Sequence, residues 1–147
     1  MHKLFLVICL LLYILLLMGC SSSSEVKTQG FASEHGLRLE ETWGIRIEGI
    51  RLSAAGYMLD FRYRVLDPEK AALLFDRKTK PYLIDQKSGA KFMVPSPPKV
   101  GPLRTSDPPQ KGRTYFIMFA NPGKYIKQGY KVTVVIGDFR LEDLTVK

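Results

Sequence analysis

Tyr57–Leu66 reads YMLDFRYRVL. Tyr57, Leu59, Phe61, Tyr63 and Val65 fall on one side of an extended chain, and Met58, Asp60, Arg62, Arg64 and Leu66 on the other. Successive side chains of a strand point to opposite faces, so this alternation, rich in aromatic and β-branched residues, predicts a half-buried strand. Before it, residues 39–53, LEETWGIRIEGIRLS, alternate in the same way, with Trp43, Ile45 and Ile47 on one side. Gly49 shifts the phase by one residue, and Ile50 and Leu52 resume it, the mark of a bulge within a long strand. Ala54-Ala55-Gly56 then turns the chain, so the two strands are expected to form a hairpin.

The pattern continues toward the C-terminus. Asp67-Pro68-Glu69-Lys70 predicts a short helix, with Asp67 as cap and Pro68 in the first turn. PYLID, residues 81–85, and residues 90–94 are short strands around a turn at 86–89. The Pro-rich stretch 95–113 is a long loop. TYFIMFA, residues 114–120, is apolar on both sides and is expected to be a central or doubly covered strand. KVTVVIGDF, residues 131–139, is another strand, and Leu141, Leu144 and Val146 suggest a last one at an edge. The expectation is therefore an all-β domain over residues 37–147: an immunoglobulin-like antiparallel β-sandwich of about seven strands with one short helix. A barrel is the alternative, because alternation does not separate the two.

The first residues have another character. Met1-His2-Lys3 is a short basic start, and Leu4–Met18, LFLVICLLLYILLLM, is apolar throughout. About fifteen residues make roughly 22 Å of helix at ~1.5 Å per residue. That is short for a membrane span and suits a cleaved export signal. A plain transmembrane anchor is the alternative. Leu17-Met18-Gly19-Cys20 resembles the lipobox of bacterial lipoproteins. Leu17, Gly19 and Cys20 match that pattern, while Met18 stands where a small residue is usual. The resemblance implies a signal peptide over residues 1–19, a mature chain beginning at Cys20, and acylation of Cys20 as its attachment to membrane lipid. Ser21 in place of an acidic residue implies an outer-membrane address, with the protein facing the periplasm. Residues 20–36, Ser-rich and polar, read as a flexible tether.

Composition narrows the chemistry. The chain of 147 residues carries 22 Lys and Arg against 14 Asp and Glu; loss of Lys3 with the leader leaves 21 bases and a formal charge of +7. Such a charge suits nucleic acid, an anionic membrane surface, or simple solubility. The bases are dispersed, with Arg77-Lys78-Thr79-Lys80 the densest group, so no nucleic-acid partner is expected. Cys9 leaves with the leader, and Cys20 alone is left, so the domain has neither a disulfide nor a thiolate metal site. His35 is the only histidine beyond the leader, which leaves the loop serines 88, 96 and 106 without an evident base and a His-rich metal site without ligands. No cofactor and no metal are expected, and the chain is read as non-enzymatic.

One surface stands out. Asp60, Arg62 and Arg64 share the outer face of the 57–66 strand, and Lys131 and Arg140 are grouped with them as a candidate partner surface. An ion pair across strands is the ordinary use of Asp60. The functional use is a basic patch for an acidic protein, a lipid headgroup or a glycan. The sequence therefore predicts an envelope interaction or structural module whose partner is another envelope protein or an anionic glycan; a small-ligand or glycan-binding lipoprotein is the alternative.

Overall fold

The computed structural model describes residues 34–147, which are mostly β, with two antiparallel sheets of three and four strands and two short α-helices. Leu17, Gly19, Cys20 and the tether up to residue 33 lie outside the described residues. The first sheet has the order β1 (Ile45–Ser53), β2 (Met58–Val65), β5 (Thr114–Ala120). The second runs β4 (Lys91–Met93), β3 (Tyr82–Asp85), β6 (Lys131–Ile136), β7 (Phe139–Thr145). Buried residues of both sheets belong to a single apolar cluster, including Leu59, Phe61 and Phe119 from the first and Leu83, Val134 and Leu141 from the second. The sheets also touch through backbone: Ile50 bridges Val146 in parallel, Leu52 N–H donates to the Lys147 carbonyl at 3.1 Å, and Lys147 N–H donates to the Ile50 carbonyl at 3.0 Å.

The β1–β2 hairpin follows the alternation, with Leu59, Phe61, Tyr63 and Val65 buried. Its register shifts between Ile47 and Gly49, so the bulge lies where the phase of the sequence changes. Gly49 has φ +130°, a backbone conformation that side chains disfavour. Asp67 caps helix α2 (Pro68–Ala71), its Oδ1 accepting from Glu69 N–H at 3.0 Å and Lys70 N–H at 3.3 Å.

Three expectations need correction. Residues 34–43 form helix α1 (Glu34–Trp43), where the sequence suggested the end of a tether and the start of a strand, and His35 lies in this helix. Leu39 and Trp43 are one helical turn apart: Leu39 is buried, and Trp43 meets Phe139 edge-on at 5.4 Å. Gly44, at φ +61°, ends the helix, and a Cβ there would stand 2.7 Å from the Asp67 carbonyl oxygen, so no larger residue fits. Second, β5 is the edge of its ladder rather than a central strand, and Phe116 is 41% exposed. Part of the Pro-rich loop covers that edge, with Met118 N–H donating to the Leu103 carbonyl at 2.9 Å. Third, Gly137-Asp138 is the turn between β6 and β7, not a continuation of one strand.

Asn121 joins the first hairpin to the segment that leads into β6. Fully buried, it donates to the Gly56 carbonyl at 2.9 Å and the Ile126 carbonyl at 2.8 Å, and accepts from Ile126 N–H at 2.9 Å. Replacing it with Ala strands all three backbone groups. Urea unfolding of Asn121→Ala should show a loss of about 3 kcal/mol, since each buried unpaired group costs about 1–3; a loss within experimental error of zero would contradict this network.

Candidate functional site

The outward residues of β1 and β2 form a charged face. The register sets Arg46 beside Arg64, Arg51 beside Asp60, and Gly49 beside Arg62. Placing like charges opposite one another is unfavourable unless acids intervene. Here Glu40 of α1 takes Arg46 at 2.6 Å, Glu48 takes Arg64 at 3.0 Å and Thr114 Oγ1 at 2.9 Å, and Asp60 takes two arginines. The Arg46 guanidinium holds the Glu40 carboxyl below its ordinary range, against a smaller opposing effect of burial. This pair stabilises above the unfolded carboxyl's titration and is lost as the pH falls through the folded value; being exposed, it is screened by salt.

Asp60 is the centre of the face. Its side chain is only 3% exposed although it lies on the outer side of the sheet, because arginine side chains fold over it. Oδ2 accepts from Arg62 Nε at 2.9 Å and from Arg51 Nη2 and Nε at 3.0 and 3.2 Å. Oδ1 is buried with no partner among the described residues. The bulge opens a groove of about 350 Å³ beside this cluster, bordered by Glu48, Gly49, Arg51, Asp60, Arg62 and Lys147. Both arginines are about half exposed (58% and 47%) and keep unused N–H donors, so the arrangement holds two guanidinium groups in place for an acidic group arriving from solvent.

The sequence grouping is thus brought together in part. Asp60, Arg62 and Arg64 share one face, joined by Arg51, which the sequence reading omitted although the hairpin register would have placed it opposite Asp60. Lys131 and Arg140 stand on the other sheet, where each meets its own acid: Lys131 with Asp143 at 3.3 Å, Arg140 with Glu142 at 2.7 Å. Of the aromatic residues in the 57–66 and 114–120 stretches, Phe61, Tyr63, Tyr115 and Phe119 are buried, while Tyr57 and Phe116 are exposed. Ser88 Oγ donates to the Asp85 carboxylate at 2.6 Å, and the same oxygen accepts from Ser88 N–H at 3.1 Å, an arrangement common in turns. Among the described residues no group of three or more His, Cys, Asp or Glu is arranged to hold a metal, and no helix is long and apolar enough to cross a membrane. No protein-family model, curated protein or solved structure matches the chain.

The burial asymmetry gives an unequal pair of mutational effects. Asp60→Ala frees two arginines that water can solvate, and should cost about 1 kcal/mol. Arg51→Met with Arg62→Met keeps apolar stems over the carboxylate while removing both cations, so the carboxylate stays buried and unpaired, and should cost about 3 kcal/mol. Chemical denaturation of both variants reads the difference; equal losses would mean that Asp60 is not the buried member.

Proposed function

We propose that the chain is a lipid-anchored, non-enzymatic interaction module of the bacterial cell envelope, attached through Cys20 at the outer membrane and facing the periplasm. The described part is read as an immunoglobulin-like sandwich. Its strand order, β1-β2-β5 beside β4-β3-β6-β7, supports that layout: first, second and fifth strands share one sheet, third, sixth and seventh the other. The fourth strand pairs with the third instead of extending the first sheet. Among the described residues no ladder joins β4 to β5, which favours a sandwich over a closed barrel.

The observation that carries the interaction reading is the Arg51–Asp60–Arg62 cluster, in which a buried carboxylate orients two half-exposed guanidinium groups beside an open groove. Its partner is an acidic surface of another envelope protein, with an anionic glycan as the alternative ligand. The placement in the envelope rests on the apolar leader and Leu17, Gly19 and Cys20.

Two measurements test this. Metabolic palmitate labelling should mark the wild-type chain and not Cys20→Ser, with the circular dichroism of the domain unchanged; a labelled Cys20→Ser chain would refute the anchor. Crosslinking in native membranes should capture a defined protein, and the yield should fall severalfold when Arg51 and Arg62 are both replaced by Gln. Recovery of glycan and no protein would overturn the protein-partner reading.

A further inference from the structure

Arg104 lies in the Pro-rich segment, yet it is only 8% exposed. Its backbone is fixed by a bridge to Ile117 and by Thr105 N–H donating to the Phe116 carbonyl at 3.3 Å. The guanidinium donates through Nη2 to the backbone carbonyl of Asp76. Nη1 is buried without a partner, and no carboxylate forms an ion pair with Arg104 among the described residues. Burial pushes its pKa down, opposed by Tyr63 and Asp76, but an arginine does not lose its proton in a protein. The side chain is therefore a buried cation with an unused donor, a costly arrangement unless something else pairs it.

The surroundings indicate what does. Arg104 borders a recess of about 330 Å³, at the lower end of the ~300–1,000 Å³ typical of small-ligand sites. Arg77 and Lys80 add two more cations, Thr79 and Ser96 add hydroxyls, and neither Asp nor Glu lines the space. The wall of Met93, Val94 and Pro102 is apolar. Thr79 is held by its N–H donating at 3.2 Å to the same Asp76 carbonyl that receives Arg104, so the turn and the guanidinium are tied to one atom.

We infer that this recess binds an oxyanion, a phosphate or carboxylate head, borne on a short apolar body, with the Arg104 guanidinium pairing the head and Met93, Val94 and Pro102 receiving the body. Arg77 and Lys80 raise the local concentration of such anions and add charge at the opening. Free phosphate shares the head and lacks the body, so it binds more weakly than the amphiphile.

The test is calorimetric titration of the full chain in detergent solution with hexyl phosphate, inorganic phosphate and hexanol. Hexyl phosphate should bind saturably, phosphate about tenfold or more weakly, and hexanol not saturably. Arg104→Met should weaken hexyl phosphate binding by about tenfold or more. Should that variant fail to fold, Arg77→Gln with Lys80→Gln reads the same site and should weaken binding severalfold. The inference is overturned if hexyl phosphate does not bind, if hexanol or phosphate binds as tightly, or if the variant that folds binds as the wild type does. None of these outcomes depends on Cys20 or on the Arg51–Asp60–Arg62 face.

Discussion

The packing of Tyr63 against its aromatic neighbours is the constraint on which the rest depends. Its ring lies 5.7 Å from Phe61, 6.1 Å from Phe75 and 6.2 Å from Tyr115, and Phe75 meets Tyr115 edge-on at 4.7 Å. The residues come from β2, β5 and the 3₁₀ turn Ala72–Phe75. Without cysteine in residues 34–147 the domain has no covalent staple, so such buried rings carry the load that disulfides carry elsewhere. The cluster also positions polar groups. The Tyr115 hydroxyl accepts from Gln110 N–H at 2.8 Å, tying the Pro-rich loop down. Phe75 fixes the chain just before Asp76, whose carbonyl receives Arg104. The core and the two candidate binding surfaces are thus mechanically joined, one on the outer side of β2 and the other beyond its aromatic partner.

Much of this was legible in the order of residues. Leu59, Phe61, Tyr63 and Val65 showed the buried face of β2, Gly49 showed the bulge, and Asp67-Pro68 showed a helix start, because each signal is local. Helix α1 was not legible for a physical reason: Trp43 continues the period-two face of Ile45 and Ile47 and also stands at the i, i+4 spacing from Leu39. Which reading wins depends on Phe139, about a hundred residues away, against which Trp43 packs. The position of β5 at an edge was hidden likewise, since Phe116 and Met118 look like core until the sheet order is known.

The candidate sites divide along the same line. Asp60 and Arg62 are two residues apart on one strand, so their shared face was visible. Lys131 and Arg140 were grouped with them by charge alone, and sheet membership separates them. Arg104 gave no signal at all: a single arginine among prolines looks solvated, and only the return of the loop onto β5 buries it. Charges whose burial is set by tertiary contacts are the features a sequence hides best, and they are also those that most constrain function.

The proposed sandwich requires the two sheets to close on one another at the edge where β1 meets the chain after β7. Solution NMR of the domain tests it directly. The account predicts nuclear Overhauser contacts between Ile50 and Val146, together with slow hydrogen exchange of the Leu52 and Lys147 amides, comparable to the β1–β2 ladder. Rapid exchange of Leu52 and Lys147 beside a protected hairpin, with no Ile50–Val146 contact, would contradict it.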